Sequence, residues 1–266
     1  MNISAVVPTH NRHRSVEKLA RLLSASGCET IIVDDFSNPP VQIDEVNVVR
    51  NERNMKSSFS FNRGAGLATR DWLLLLGDDM ELSPNFFAEL GPVMAKAEVI
   101  GFAIRGYTAI GRATIRTEGR GVLARLANIA FGVDMVPGSS ERFAPGAMLV
   151  SRSLFLKVGG FDNHTYIGNG FREESDLQIR LRRAGARVYY AERPYVTHFP
   201  SVGGYGKISA PSWYYHARNQ TIFVMRYHGL QLWMVAAYLG YLITLGANPI
   251  ELAKGIVAGA VAEARA

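Results

Sequence analysis

Four aspartates stand in two adjacent pairs, Asp34-Asp35 and Asp78-Asp79, each closing a short apolar run (Ile31 to Val33, and Trp72 to Leu76). In open parallel sheets, ligands collect beyond the carboxyl ends of the strands, so the two pairs should converge on one crevice. A carboxylate after an early strand can hold a ribose or a base. A later pair suits a hard divalent cation such as Mg²⁺, which takes oxygen ligands and shares them with phosphates. Aspartate also ends strands and starts turns for local reasons, which would explain one pair. That explanation is weaker for two pairs on the same edge.

A second group is Phe171-Arg172-Glu173-Glu174-Ser175-Asp176, with three acids in four residues at the start of a helix. Acids there are favoured by the helix dipole, so capping explains them as well. Three crowded carboxylates also repel one another, which raises at least one pKa and suits a general base. The dipole and any nearby cation act in the opposite direction, so the net shift is open at this level. A third candidate is His198, just past a predicted strand and 24 residues beyond Glu174, a spacing of one helix and one strand that returns it to the same sheet edge.

The elements that must position these groups read as an α/β domain with a largely parallel sheet. Strands are expected at Ile3 to Val7, Ile31 to Val33, Val46 to Val49, Trp72 to Leu76, around Val99 to Tyr107, and at Ala186 to Ala191. The first helix, from about Ser15, places Val16, Leu19, Leu22 and Leu23 on one face. A second spans about Met55 to Ala68, and a third starts at Ser83-Pro84, a cap residue followed by proline at the first helical position. Ser151 caps a short helix that ends at Gly159-Gly160, and Glu173 to Ala184 forms a helix terminated by Gly185.

With 48% hydrophobic and 20% charged residues, the 266-residue chain has material for a sizeable core. Cys28 is the single cysteine, so neither an internal disulfide nor a thiolate zinc site is available. The N-terminal segment lacks a signal-peptide pattern. Net charge is +6, and Arg105, Arg112, Arg116, Arg120 and Arg125 crowd one stretch, either a solvated face or a phosphate-facing one. From Gly229 to Ile250 no side chain is charged. Three readings of that run stay open: a segment lying on a membrane surface, a helix docked on its own core or on a twin chain, or a true span.

The ordered set of motifs resembles the inverting family-2 glycosyltransferases of GT-A fold, over roughly residues 1 to 228. Val6-Val7-Pro8-Thr9-His10-Asn11-Arg12 resembles the opening strand and donor loop, and Ile32-Val33-Asp34-Asp35-Phe36-Ser37 the nucleoside block. Leu76-Gly77-Asp78-Asp79 stands at the metal motif. Gly146-Ala147-Met148, Val158-Gly159-Gly160-Phe161-Asp162 and Glu173-Glu174-Ser175-Asp176-Leu177 resemble the acceptor-side block. The sequence departs from the pattern in three places. Gly77 replaces the first acid of the metal motif, Lys56 replaces the usual glycine after Asn54, and Phe61 replaces the arginine before Asn62.

The resemblance implies a Rossmann-like, mostly parallel sheet flanked by helices, with residues 1–98 as the nucleotide-sugar half and 99–228 as the acceptor half. Residues 229–266 form an apolar helical tail. Glu174 is the implied catalytic base, and Asp79 with His198 the holders of Mg²⁺ or Mn²⁺. Pro8, Thr9, Asn11, Arg12, Asp34, Asp35, Asn62 and Asp78 are implied for the donor, and Gly146, Ala147, Met148, Glu173 and Asp176 for the acceptor side. The implied substrates are a nucleotide-sugar donor and a hydroxyl acceptor, a glycan or lipid-linked glycan. The uncharged run with its flanking Arg218, Arg226 and Lys254 points to a cytoplasmic location, peripheral on an anionic membrane face. Gly203 to Gly206 could be a lid or an ordinary loop. Two rival functions are weighed against this. A sugar-nucleotide pyrophosphorylase would need a glycine-rich phosphate loop where Pro8-Thr9-His10-Asn11 stands. A nucleotide- or RNA-binding module is suggested by charge alone, but crevice acids would repel a nucleic-acid backbone.

Overall fold

The structure is a computed structural model that describes residues 1–106, 147–168, 170–199, 210–228, 232–244 and 246–265. Gly146, the arginines from 112 to 125 and the Gly203 to Gly206 segment lie outside the described residues.

Eight strands form one sheet: β1 (Ile3–Thr9), β2 (Glu29–Asp34), β3 (Asn47–Arg50), β4 (Trp72–Leu75), β5 (Met80–Leu82), β6 (Val99–Gly106), β7 (Met148–Ser151) and β8 (Val188–His198), in the order β3-β2-β1-β4-β7-β6-β8-β5. The first four are mutually parallel, as their short apolar runs suggest. Beyond them the sheet is mixed: β7 runs antiparallel to β4 and β6, β8 is parallel to β6, and β5 is antiparallel to β8. Leu73, Leu74 and Leu75 are fully buried, as expected of a central strand covered on both faces.

Helix α1 (His13–Ala25) covers one face, with Val16, Leu19 and Leu23 packed against Val7, Ile32 and Leu74. Leu22, expected on that face, is exposed, and Ala20 takes the inward position. Helix α3 (Phe86–Met94) joins the same cluster through Phe86, Leu90 and Val93. It does not start at Ser83-Pro84. Ser83 is held against β8, its amide bonding to the Tyr195 carbonyl and its hydroxyl receiving the Tyr195 amide, so Asn85 in the left-handed region precedes the first helical residue.

On the opposite face lie α2 (Lys56–Leu67), α4 (Arg152–Lys157) and α5 (Glu173–Arg183), sharing a core of Val6, Val33, Phe61, Leu75, Phe155, Leu177 and Leu181. Ser151 precedes α4 without a capping bond from its side chain, and Gly159 and Gly160 end it with positive φ.

The apolar run divides at Gly246 between α7 (Leu232–Thr244) and α8 (Pro249–Ala264), and both pack on α6 (Ala210–His228). A Cβ at Gly255 or Gly259 would lie 2.4 Å from the Tyr214 carbonyl or 2.5 Å from the Arg218 carbonyl, so glycine lets the two backbones meet. Among the described residues no helix is long and apolar enough to cross a membrane.

Candidate functional site

The aspartate pairs follow the two parallel strands that flank β1, since β1 lies between β2 and β4. Two bonds tie the three strand ends: the Asp35 amide to the Thr9 carbonyl at 2.8 Å, and the Thr9 hydroxyl to Asp78 Oδ2 at 2.6 Å. Pro8 pairs with Val33 one step earlier. One nitrogen of Arg12, in the loop after β1, reaches Asp78 Oδ1 at 2.8 Å and Asp79 Oδ2 at 2.7 Å. Burial raises the Asp78 carboxyl above its ordinary value, outweighing Thr9 and Arg12. Burial also acts upward on Asp79, but hydrogen bonds with His198 and Arg12 prevail and hold it below the usual range.

His198 reaches this cluster through β8. The β6–β8 register jumps after Phe102–Ala191, so that Ala103 pairs with Tyr195 and Glu192 to Pro194 are passed over. Proline has no amide to donate to a ladder, which makes this a natural place for the irregularity. The strand then continues to His198, whose Nε2 lies 3.2 Å from Asp79 Oδ2. A carboxylate oxygen and an imidazole nitrogen, both less than one-fifth exposed, fit a Mg²⁺ or Mn²⁺ ion whose other positions come from phosphate and water. Among the described residues no group of three His, Cys, Asp or Glu side chains could hold a metal alone. At Gly77 a Cβ would come 2.8 Å from Asp79 Oδ1, so the residue replacing the motif's first acid leaves room for the second aspartate.

Asp34 and Asp35 have different surroundings. Asp34 is fully buried and accepts the Ser37 amide, the Val41 amide and Arg50. Burial acts upward on its carboxyl, but these partners, Ser37 foremost, hold it below its ordinary value. Expected on the donor, it anchors the loop after β2 through these bonds. Asp35 accepts from Asn51 Nδ2 and from the Met55 and Lys56 amides, fixing the start of α2. Asn11 is secured to the same loop through Ser37 and Asn38.

The start of α2 also meets the start of α5. Ser57 and Ser58 donate to the Glu173 carboxylate, which is buried. Burial first, then the charge of Glu174, pushes Glu173 up to about 8. Glu174 is more accessible, and burial raises it against the pull of the Arg172 guanidinium. The sign left open by the sequence is therefore upward for both acids. Asp176, expected toward the acceptor, is fully buried and accepts from Arg180 and Tyr227, joining α5 to α6.

Of three other sequence candidates one is half-buried and two are fully buried. Asn62, expected toward the donor, donates to the Phe161 carbonyl and accepts the Phe161 amide, both at 2.8 Å, so its amide tethers α2 to the turn after α4. Ala147 and Met148 are fully buried at the start of β7, inside the two cores of the sheet. The sequence reading missed Ser57, Ser58 and Asn51 as supports of the acids. Only their place after β3 and at the start of α2 could have pointed to them.

Residues 4–158 match the family model described as glycosyl transferase family 2. Glu173, Glu174 and His198 lie beyond the matched segment. An uncharacterized glycosyltransferase of Haemophilus influenzae is 30% identical over 180 residues, covering 59% of this chain and 55% of that protein. The chain thus spans about half the length of that relative. S. aureus TarS 1-349 in complex with UDP-GlcNAc superposes with a TM-score of 0.58 at 14% identity, covering 90% of this chain and 72% of that one. The mannosyltransferase PcManGT from Pyrobaculum calidifontis, in complex with GDP-Man and Mn²⁺, gives 0.58 at 13% identity, covering 100% and 76%. At these identities the two structures show the GT-A-like fold alone.

Proposed function

Because the chain belongs to glycosyl transferase family 2, we propose that it moves a sugar from a nucleoside-diphosphate sugar to a hydroxyl acceptor in one displacement that inverts the anomeric centre. The observation that carries this reading is the line of polar contacts from His198 and Asp79 through Arg12, Asp78, Thr9 and Asp35 to the start of α2, where Ser57 and Ser58 in turn hold Glu173 beside Glu174. The neighbours that hold UDP-GlcNAc, or GDP-Man with Mn²⁺, support a nucleotide-sugar donor and a divalent ion.

In this reading Pro8, Thr9, Asn11 and Arg12 line the donor's path, and Asp35 fixes the α2 end beside it. Asp79 and His198 would hold Mg²⁺ or Mn²⁺, which when bound neutralises charge on the leaving diphosphate. Glu174 takes the proton of the attacking hydroxyl, and its raised pKa improves it as a base near neutral pH. Glu173, gripped by Ser57 and Ser58, holds the helix end that carries Glu174.

The acceptor is a glycan or lipid-linked glycan, and the enzyme works on the cytoplasmic face of an anionic membrane. This part draws on exposed Trp233 and Ile243 of α7 and Ile250 and Val257 of α8, with Lys254 exposed among them. Flotation of the full chain with anionic vesicles should carry it to the lipid fraction, and Trp233→Glu with Ile250→Glu should leave it behind. A full chain that never floats would remove the membrane from the account.

Incubation with Mn²⁺ and a panel of nucleotide sugars and hydroxyl acceptors, read by nucleoside-diphosphate release and by NMR of the new anomeric linkage, tests the reaction. Acceptor-dependent release with inverted configuration is expected. Retained configuration, or no release with any donor, would overturn the reading.

A further inference from the structure

We propose that Arg12 is the resting counter-cation of the Asp78-Asp79 pair, and that it must leave Asp79 before a divalent ion can be held there. The ion and the donor diphosphate therefore bind interdependently. The inference rests on the reading of Asp79 and His198 as the ion's side-chain ligands.

The geometry centres on one oxygen. Asp79 Oδ2 is the atom that faces His198 Nε2 at 3.2 Å, and Arg12 reaches the same atom at 2.7 Å. The same Arg12 nitrogen reaches Asp78 Oδ1 at 2.8 Å, so one cationic group neutralises two adjacent carboxylates. A guanidinium and a divalent ion on one carboxylate oxygen would repel each other at close range. Arg12 cannot remain where it is when the ion arrives.

The chain around Arg12 restrains its backbone, while its side chain lines an open cavity. Asn11 is tied to Ser37 through its amide and to Asn38 through its side chain, and α1 begins at the residue after Arg12. The Arg12 side chain is 28% exposed and lines a cavity of about 700 Å³ together with Asp78, Asp79 and Phe199. A planar guanidinium with several donors is suited to phosphate oxygens. A diphosphate can therefore draw Arg12 off Asp79 and supply ligands to the ion in the same event, whereas the ion alone must displace Arg12 without compensation.

The test is Mn²⁺ binding to the full chain, read by electron paramagnetic resonance of free Mn²⁺, with no nucleotide or sugar present. Wild type should bind Mn²⁺ weakly, and inorganic pyrophosphate should enhance binding beyond its own complexation of the ion. Arg12→Gln should bind Mn²⁺ alone about tenfold more tightly or better, the order expected when a unit positive charge is removed beside the ion. It should also lose most of the enhancement by pyrophosphate. Arg12→Lys, which keeps the charge, should stay near wild type. If Arg12→Gln binds Mn²⁺ no better than wild type while Asp79→Asn abolishes binding, the counter-cation inference fails and the ion site stands. If Asp79→Asn binds Mn²⁺ as wild type does, both fail.

Discussion

Asp79 Oδ2 and His198 Nε2 stand 3.2 Å apart, although 119 residues separate them in the chain, because Met80 pairs with His198 where β5 runs antiparallel to β8. An anionic oxygen and a neutral imidazole contribute unequally to holding a hard cation. Asp79→Asn should abolish Mn²⁺-dependent binding of nucleotide sugar, and His198→Ala should weaken it by a smaller factor. Isothermal titration with and without chelator measures both. Equal donor affinity in Asp79→Asn and wild type would exclude this pair as the ion's holder.

Glu173 carries a pH-dependent contribution to stability. Its carboxyl is raised to about 8 by burial and by the charge of Glu174. A carboxyl raised in the folded state favours folding below its unfolded pKa, and that contribution is lost as pH rises through the folded value. Between about pH 4.5 and 8 wild type should therefore lose on the order of 1–2 kcal/mol or more from this group. Glu173→Gln should flatten that fall and melt above wild type at pH 8 to 9. Melting curves across pH check this, and a variant destabilised equally at every pH would contradict it.

Lys56 opens α2 at φ +71°, a region that favours glycine. Its amide bond to Asp35 needs no side chain. Relief of the left-handed strain, about 1–2 kcal/mol, exceeds the added chain entropy of glycine, about 0.5–1 kcal/mol. Lys56→Gly should therefore raise the melting temperature by about 1–4 °C for a chain of this size. A lowered melting temperature would show that the lysine side chain contributes more than its strain costs.

Asn62 bonds to Phe161 through both ends of its amide, and Gly160, at φ +66°, approaches so closely that a Cβ there would lie 2.3 Å from Asn62 Oδ1. Asn62→Ala strands two main-chain groups and should cost about 1–3 kcal/mol of stability. Donor affinity, measured where the variant is folded, should be unchanged. A selective loss of donor binding with normal stability would place Asn62 on the donor after all.

The parallel half of the sheet was legible because its strands are short, apolar and bounded by turns, and the aspartate pairs marked where they end. The mixed half was not, since the antiparallel placement of β7 between β4 and β6 leaves no periodic trace. Leu22 has helical spacing with Leu19 and Leu23 yet faces out, because the buried stripe runs through Ala20. Ser83-Pro84 has the local signature of a helix start, but the Ser83 bonds to Tyr195 come from 112 residues away. The site divides on the same line. Motif spacing marked the acids, while the contacts through which Asp34, Asp176 and Asn62 anchor neighbouring segments belong to tertiary structure. So does the salt bridge that puts Arg12 on both Asp78 and Asp79.

In the proposed reaction Glu174 is the base of the glycosyl transfer. The most direct measurement is acceptor-stimulated nucleoside-diphosphate release by Glu174→Gln beside wild type, with donor affinity measured on the same preparations. Glutamine keeps the shape of the side chain but cannot take the proton, and a general base contributes about 10²–10⁴-fold in rate. A loss of that order with donor affinity nearly intact is the predicted result. Near-normal transfer by Glu174→Gln, with the loss appearing instead in Glu173→Gln or Asp176→Asn, would contradict the assignment.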